Sequence, residues 1–285
     1  MRILFVGGGN MAQAIVGGLI AQKMPPGDFR VVDPVTQTRL AISALGVESF
    51  ASLTTDLLDC DVIVLAVKPQ MMHAAISPLE GNLSSQLVIS IAAGIDTASL
   101  SQWLGRGKAT YGNIVRTMPN TPALLRAGIT GLYANAAVSE EGRGIAESLM
   151  GAVGKTVWFD DEAMLDAVTA VSGSGPAYVF YFMEALEEAA LELGFDSKAA
   201  RLFARQTFLG GTQLAAASHE SPSVLRARVT SKRGTTEAAI AAFDRHELKQ
   251  AFIEGVKAAC ARSREIGREL GAAPAGSTES VGGKI

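Results

Sequence analysis

A short apolar strand that runs directly into a glycine-rich turn and a helix is the feature that most constrains the fold of this chain. Residues 3–6 form the apolar run, and residues 7–12 read Gly-Gly-Gly-Asn-Met-Ala. Gly7 permits a tight turn, Gly9 lets the backbone approach a ligand closely, and the small Ala12 lets the helix pack on the strand. In this position the Gly-x-Gly-x-x-Ala pattern predicts a dinucleotide-binding unit, with a pyrophosphate at the start of the helix.

The first 160 residues alternate short apolar runs with helix-like segments. Several runs consist of Val, Ile and Leu with little polar alternation, which is typical of strands buried on both faces of a parallel sheet. The alternation predicts an α/β doubly wound sheet, Rossmann-like in architecture. The predicted strands are residues 3–6, 29–32, 62–67, 88–91, 113–116, 131–134 and 156–159, and helices are predicted over residues 11–22, 37–45 and 140–152.

After Asp160 the strand pattern stops and the chain has the periodicity of helices rich in Ala and Gly. Gly194 is expected to end one helix, and Asp196 to cap the next. This pattern predicts an all-α second domain, so that the domains are residues 1–160 and 161–270, with a mobile tail over residues 271–285. The predicted helices of the second domain are residues 163–171, 176–193, 197–217 and 247–270.

Composition and charge argue against several classes of function. The formal net charge is −3 and the isoelectric point is near 5.7, without the basic excess of a nucleic-acid-binding protein. Cys60 and Cys260 lie far apart, and the three histidines are scattered, so no metal site is expected. We find neither a secretory signal pattern nor an apolar run long enough to span a membrane, and expect a cytoplasmic protein without membrane contact.

The residues after the second predicted strand bear on the choice of cofactor. Asp33 has the spacing of a carboxylate that accepts a hydrogen bond from the adenosine ribose, which favours NAD over NADP. Residues 36–39, which end in Arg39, offer the hydroxyls and the positive charge that suit the 2′-phosphate of NADP instead. The sequence leaves both readings open, together with a third in which Asp33 only caps the helix that follows Pro34.

A polar segment in the second half suits a small anionic ligand. Residues 222–240 predict a short helix, a loop that contains glycine, and a second helix that starts at Thr235 and Thr236. The first turn of this second helix offers free backbone N–H groups and small hydroxyls, which suit a carboxylate and a weak proton donor. Helix capping by the threonines is the structural alternative. Together with a dinucleotide site, the segment indicates hydride transfer to a small carboxylate-bearing substrate.

Six segments in order make the chain resemble the pyrroline-5-carboxylate reductase family, and the resemblance extends to about residue 270. Any one segment is modest support, but their order and spacing are very specific. The segments are residues 7–12 (Gly-Gly-Gly-Asn-Met-Ala), 66–70 (Ala-Val-Lys-Pro-Gln), 90–94 (Ser-Ile-Ala-Ala-Gly), 116–122 (Arg-Thr-Met-Pro-Asn-Thr-Pro), 172–178 (Ser-Gly-Ser-Gly-Pro-Ala-Tyr) and 229–236 (Val-Thr-Ser-Lys-Arg-Gly-Thr-Thr).

The resemblance implies NADPH as cofactor, with NAD possible, and reduction of the C=N bond of Δ1-pyrroline-5-carboxylate to L-proline. It implies a homodimer with interleaved helices, a larger ring of dimers, and a site where the cofactor domain of one chain meets the helical domain of its partner. Substrate contacts are implied at Ser231, Gly234, Thr235 and Thr236, with Thr236 as hydrogen-bond partner and proton donor of the ring nitrogen. Cofactor contacts are implied at Gly7, Gly9, Asn10, Met11, Asp33, Val67, Lys68, Pro69, Ile91 and Ala93.

Two positions depart from the pattern of the family. Arg233 stands where the family usually has glycine, and a positive φ there would strain the arginine by roughly 1–2 kcal/mol. Leu53 stands where many members carry asparagine near the adenosine pocket.

Two other functions compete with this one. A hydroxyacid dehydrogenase would share the first half, but that class uses a lysine on the first helices of the second domain, and residues 163–171 and 176–193 contain none. A non-catalytic nucleotide-sensing protein would also keep the first half. It would have no reason to keep a polar loop such as residues 231–236.

Overall fold

A computed structural model describes residues 1–271 of the chain. Its central feature is one eight-stranded sheet. In chain order the strands are β1 Ile3–Val6, β2 Phe29–Val32, β3 Glu48–Phe50, β4 Val62–Leu65, β5 Leu87–Ser90, β6 Ile114–Met118, β7 Gly128–Ala134 and β8 Gly154–Trp158. They lie side by side in the order β3-β2-β1-β4-β5-β6-β7-β8.

Helices connect these strands and then form the rest of the described chain. The helices are α1 Asn10–Ala21, α2 Thr36–Ser43, α3 Met72–Ile76, α4 Thr97–Leu104, α5 Glu140–Gly151, α6 Met164–Val168, α7 Gly175–Glu192, α8 Ser197–Ala216, α9 Pro222–Arg228, α10 Thr235–Arg245 and α11 Leu248–Gly271. No helix within residues 1–271 is long and apolar enough to cross a membrane.

The two faces of the sheet bury two separate apolar clusters. Every residue of β1, β4 and β5 is buried, as the continuous apolar runs predict. Phe5 faces the cluster that includes side chains of α1 and α5, whereas its neighbour Leu4 faces the cluster of α3 and α4. Burial of each such side chain stabilises the fold by about 1.5–3 kcal/mol. The prediction of a doubly wound α/β sheet is therefore confirmed.

The strand order reverses between β1 and β4, which places two loops next to each other. β1 pairs in parallel with β2 on one side and with β4 on the other. In open sheets of this kind, ligands bind at the carboxyl ends of the strands beside the reversal. The glycine turn that follows β1 and the loop that follows β4 both lie at that edge.

The sheet differs from the predicted all-parallel arrangement at β7. This strand is antiparallel to β6 and parallel to β8. Nine residues separate β6 from β7 and hold only a 3-10 turn, Thr121–Leu125, whereas a parallel neighbour needs a crossover of a dozen or more residues. The prediction also missed β3, because its three residues contain no apolar run.

The described chain divides into two compact units, one of residues 1–173 with residues 259–271, and one of residues 174–258. The second unit is helical, as predicted after Asp160. Helix α6 of the first unit is shorter than expected, since it gives way to a π-helical turn at residues 169–173. The hydroxyls of Thr169 and Ser172 donate there to carbonyls four residues earlier, an alternative to regular helical pairing.

The helices of residues 174–258 leave most of their large apolar side chains exposed. Within α7 to α10 only Ala200 and Ala204 are buried. Apolar surface of this extent normally marks an interaction site. The most exposed of these side chains are Phe180, Tyr181, Leu193, Leu202, Phe203, Leu214 and Val229. The mobile tail predicted from residue 271 lies, beyond Gly271 of α11, outside the described residues.

Replacement of Gly154 by alanine is expected to destabilise the sheet. Gly154 of β8 is paired with Gly128 of β7, and a Cβ atom at Gly154 would overlap the carbonyl of Gly128. The strands must separate locally, which we expect to lower the free energy of unfolding by about 3 kcal/mol in urea denaturation. Gly144 of α5 is the control, because a Cβ there meets open space. Gly144→Ala should stabilise the protein by about 0.5–1 kcal/mol, and equal effects of the two changes would contradict the steric argument.

Candidate active site

The glycine turn after β1 uses its first and third glycines for different reasons. Gly7 has a φ of 101°, and a Cβ atom there would lie 2.6 Å from the carbonyl oxygen of Ala66. Its N–H donates to the carbonyl of Val32 at 2.8 Å, so the turn is held between β2 and β4. At Gly9 a Cβ would meet nothing within 4 Å. Gly7 therefore permits the close approach of two strands, while Gly9 leaves the start of α1 open to a ligand.

The first turn of α1 presents unpaired backbone donors at this opening. The N–H of Gln13 is the first to close the helix, on the carbonyl of Gly9 at 3.0 Å, so the N–H groups of Asn10, Met11 and Ala12 precede the helical ladder. The first turn contains no acidic residue. The partial positive charge of the helix terminus suits a pyrophosphate. The residues present therefore fit the dinucleotide that the sequence predicts.

The candidate residues that follow β4 and β5 lie at the same edge of the sheet. The N–H of Ala66 donates to Val6 at 2.7 Å, and that of Ile91 donates to Leu65 at 3.1 Å, which continues the strand pairing into the two loops. Lys68 is exposed at the start of a 3-10 turn. These two loops also contain three other residues for which cofactor contacts were predicted. They are Val67, Pro69 and Ala93, and each is half-buried.

Asp33 holds the glycine turn against the end of β2. Its Oδ2 accepts the N–H of Gly8 at 2.9 Å, and its Oδ1 accepts the N–H of Val35 at 2.8 Å. Val35, not Asp33, is the residue that precedes α2 as its N-cap. Both carboxylate oxygens thus serve the backbone, in a turn-forming arrangement that aspartate favours.

Glu162 anchors the far end of the loop that carries Ile91 and Ala93. Its Oε1 accepts the side chain of buried Arg116 at 3.0 Å and the N–H of Thr97 at 2.8 Å, and its Oε2 accepts the Thr97 hydroxyl at 2.7 Å. Thr97 is the first residue of α4, directly after this loop. Sequence reasoning missed Glu162, because its partners lie 46 and 65 residues away and no local pattern connects them.

The same loop is packed against the last turns of α11. Gly94 has a φ of 77°, and a Cβ atom there would lie 3.1 Å from the side chain of Ile266. A Cβ at Gly267 would in turn lie 3.0 Å from the carbonyl oxygen of Gly94. The two glycines let helix and loop approach closely, and the hydroxyl of Ser263 adds a bond to Asp166 at 2.8 Å.

The segment around residue 235 forms the predicted helix, loop and helix within residues 174–258. The carbonyl oxygen of Ser231 accepts the N–H of Gly234 at 3.0 Å, and this bond closes a tight turn before α10. Gly234 is required there, because a Cβ atom would overlap the hydroxyl of Ser231. The N–H of Gly234 is used in this turn, and the N–H of Ala238 is the first to close the helix, on the carbonyl of Gly234. The N–H groups of Thr235, Thr236 and Glu237 therefore precede the helical ladder.

The hydroxyls of Thr235 and Thr236 have no hydrogen-bond partner within residues 1–271, and α10 begins without a side-chain cap. Thr236 is half-buried, whereas Thr235 is exposed. The capping alternative would place one of these hydroxyls on a backbone N–H of the first turn. Both hydroxyls are instead available to a ligand.

Arg233 adopts a left-handed backbone conformation, with a φ of 58°. An arginine in this conformation is strained by roughly 1–2 kcal/mol, as expected if the loop kept its positive φ without glycine. The N–H of Arg233 donates to Oε2 of Glu237 at 2.6 Å. This charge-assisted bond offsets part of the strain.

Cys60 is not suited to act as a nucleophile. The pKa of its thiol is raised to about 11, mainly by burial and further by the nearby carboxylate of Asp61. A thiol with so high a pKa carries almost no thiolate at neutral pH. Residues 1–271 also contain no group of three or more His, Cys, Asp or Glu side chains with the geometry of a metal site.

A doubly wound sheet with a glycine turn open to a pyrophosphate, followed by a helical unit, is the architecture of dinucleotide-dependent oxidoreductases. Family models agree: one described as pyrroline-5-carboxylate reductase dimerisation matches residues 162–266, and one described as NADP oxidoreductase coenzyme F420-dependent matches residues 2–94. The pyrroline-5-carboxylate reductase of Pseudomonas aeruginosa is 46% identical over 95% of this chain and 98% of its own length. The chain belongs to the pyrroline-5-carboxylate reductase family.

Solved structures agree with this assignment. A pyrroline-5-carboxylate reductase from Coxiella burnetii has a TM-score of 0.85 at 42% identity, over 93% of this chain and 98% of that one. The pyrroline carboxylate reductase of Plasmodium falciparum, solved with NADP bound, has a TM-score of 0.81 at 26% identity, over 94% and 98% of the two chains. The resemblance inferred from the six sequence segments is confirmed.

Removal of the Glu162 carboxylate is expected to destabilise the loop that carries Ile91 and Ala93. Glu162→Ala leaves the guanidinium of Arg116 buried without its partner, and we expect the free energy of unfolding to fall by about 3 kcal/mol. Glu162→Gln retains oxygen and nitrogen at the site and should have a smaller effect. Urea denaturation measures both changes.

The matched control is Glu254, whose ion pair with Lys257 is exposed on α11. Glu254→Ala should change the stability by no more than about 0.5 kcal/mol. An effect of Glu162→Ala as small as that of the control would show that the Arg116 contact does not hold the loop.

Proposed function

We propose that the glycine turn and residues 231–236 together carry out the reaction of this family, the reduction of the C=N bond of Δ1-pyrroline-5-carboxylate to L-proline with NADPH. The observation that carries the proposal is the start of α10, where three N–H groups, those of residues 235–237, and two threonine hydroxyls lack partners within the described chain. These groups match a carboxylate and a ring nitrogen, the polar groups of this substrate.

The glycine turn and the adjoining loops bind and orient the cofactor. The N–H groups of Asn10 and Met11 hold the pyrophosphate, and the loops with Val67, Lys68 and Ala93 line its path along the sheet edge. When bound, NADPH supplies the hydride, and the protein contributes position and electrostatics.

The segment before α10 binds the substrate. The N–H groups of Thr235 and Thr236 hold the carboxylate at the positive end of the helix, and the turn closed by Ser231 and Gly234 shapes the loop. Arg233 adds positive charge that attracts the anion.

Thr236 provides the proton contact at the ring nitrogen. A protonated imine is already a good electrophile, so hydride addition needs little acid strength from the protein, and a hydroxyl suffices where a carbonyl would call for histidine or lysine. Most of the rate enhancement then comes from orientation of the imine carbon against the hydride donor. This explains how a site segment without histidine or cysteine can serve a reductase.

Thr236→Ala is expected to keep the fold and to lower kcat/KM by about 10²-fold, the contribution of one positioned proton donor. The measurement follows NADPH absorbance with pyrroline-5-carboxylate, with circular dichroism as the check of folding. Thr236→Ser restores the hydroxyl and should recover most of the rate.

Thr212→Ala is the matched control, because the Thr212 hydroxyl donates to the Phe208 carbonyl within α8. Near-normal kinetics in Thr236→Ala would remove Thr236 from the mechanism.

The assay also separates the alternatives: a nucleotide-sensing protein binds NADPH without consuming it. A hydroxyacid dehydrogenase is disfavoured, since α6 and α7 contain no lysine.

We also propose that the domains are residues 1–160 and 161–270. The dimerisation family model, which matches residues 162–266, supports this division. That match to a dimerisation family indicates a homo-oligomer. We propose that the oligomer is built on a homodimer in which α7 and α8 of two chains interleave and cover their exposed apolar side chains, and that dimers join in a larger ring. A cytoplasmic location is likewise proposed.

Disruption of the apolar surface of α7 is expected to dissociate the dimer. Sedimentation velocity of the unaltered protein should give at least twice the chain mass of 29.7 kDa. Phe180 is 64% exposed on α7, and Phe180→Glu places a charge where the partner should pack, which we expect to shift the protein toward monomer. Leu40→Glu is the control, because Leu40 is 58% exposed on α2 of the other unit. An unchanged mass for Phe180→Glu would contradict this interface.

A further inference from the structure

We infer that a cavity of about 640 Å³, between the loop after β5 and the end of α11, binds a free α-amino acid as its zwitterion. All of its lining residues belong to the first unit. None of them is among the predicted cofactor contacts or lies within residues 231–236. The volume is typical of sites for small molecules.

A buried guanidinium borders this cavity with donors that are not used. Arg116 is 5% exposed, and only its Nη1 has a partner within residues 1–271, the Oε1 of Glu162. Every fully enclosed side-chain nitrogen or oxygen in this part of the chain has a hydrogen-bond partner. Because Nε and Nη2 of Arg116 have none, they must reach open space, and the space that Arg116 lines is the cavity. These donors are therefore available to a ligand.

Two further arginines line the cavity from the last turns of α11. Arg264 and Arg268 have neither an ion pair nor a hydrogen bond of their side chains within the described residues. Arg262, on the same helix, does not line the cavity and is paired with Glu265 and Glu269. The helix thus neutralises one arginine and leaves the two at the cavity without a partner.

Two carboxylates line the same cavity, and neither forms an ion pair with these arginines. The Oδ1 of Asp96 accepts the N–H of Ser99 at 2.7 Å, and the Oδ1 of Asp166 accepts the hydroxyl of Ser263 at 2.8 Å. In each case the second oxygen has no partner among residues 1–271. The cavity therefore presents donors and acceptors of opposite charge that do not satisfy one another.

This combination of charges favours a ligand that carries both signs. Three guanidiniums and two carboxylates line the cavity, and the carboxylate of Glu162 compensates the guanidinium of Arg116. A polyanion would therefore gain little net attraction. A zwitterion can place its carboxylate on the guanidinium donors and its ammonium group on the carboxylate oxygens, with charge-assisted hydrogen bonds at both ends. Free α-amino acids are the small molecules that carry these two groups on one carbon.

The first measurement is the melting temperature of the unaltered protein, without NADPH, in the presence of each common L-amino acid in turn. We expect it to rise with concentration for at least one of them, because a ligand that binds only the folded state stabilises it. Isothermal titration calorimetry then gives the dissociation constant of that amino acid. The corresponding amine and carboxylic acid, which each lack one of its charges, should bind about 10-fold more weakly or worse.

Two results of this screen would overturn the inference. One is the absence of a shift with every amino acid. The other is binding of the amine or of the carboxylic acid as tight as that of the amino acid, because the cavity would then recognise a single charge.

Variants of the cavity identify where the amino acid binds. Arg264→Ala and Asp166→Asn each remove one charge, and we expect each to weaken binding about 10- to 100-fold, the effect of a lost hydrogen bond to a charged group. Asp166→Asn keeps an oxygen for the Ser263 hydroxyl, so α11 should stay in place. Arg262→Ala is the matched control, because it removes an arginine of the same helix that does not line the cavity, and it should leave the affinity unchanged.

An unchanged affinity in either cavity variant would contradict the inference. So would a loss of binding in Thr236→Ala, which would place the amino acid at residues 231–236 instead. Because neither NADPH nor pyrroline-5-carboxylate is present, the result does not depend on the proposed reaction. A protein that binds the amino acid in this cavity but does not reduce pyrroline-5-carboxylate would count against the proposed function alone.

Discussion

The close approach of β1 and β4 at Gly7 is the constraint on which the cofactor site depends. Because the backbone of Gly7 lies against the carbonyl of Ala66, the turn after β1 and the loop after β4 form one continuous edge. The buried strands on either side hold that edge rigid. Any side chain at residue 7 would push the two strands apart, so the start of α1 and the loop with Lys68 would no longer lie side by side.

In the function proposed above, backbone groups rather than charged side chains provide most of the binding chemistry for cofactor and substrate. The turn at Gly9 exposes N–H groups at the start of α1, and the turn at Gly234 does so at the start of α10. Both are sites at which we propose that an anion binds, a pyrophosphate at the first and a carboxylate at the second. Charged side chains act around them: Asp33 and Glu162 hold backbone segments in place, and each accepts at least two hydrogen bonds.

The sequence predicted those features that depend on neighbouring residues. The glycine turn, the buried strands and the start of α10 at Thr235 all follow from local patterns. Features that depend on distant pairing were missed or left open: β3 is recognisable only beside β2, and the direction of β7 depends on the length of its connection. Glu162 has no local signal at all. The sequence showed that Arg233 would be strained if its φ were positive, but it could not show the sign of φ. The structure gives a φ of 58°.

The two units of the chain differ in how much apolar surface each buries within its own chain. The sheet of residues 1–173 buries both of its faces, whereas α7 to α10 bury only two alanines. A helical unit with so small a core gains little hydrophobic stabilisation from its own chain. In the proposed dimer that stabilisation comes from the partner, so the order of residues 231–236 depends on protein concentration as well as on sequence. Dilution would then weaken substrate binding before it affects the fold of the cofactor-binding sheet.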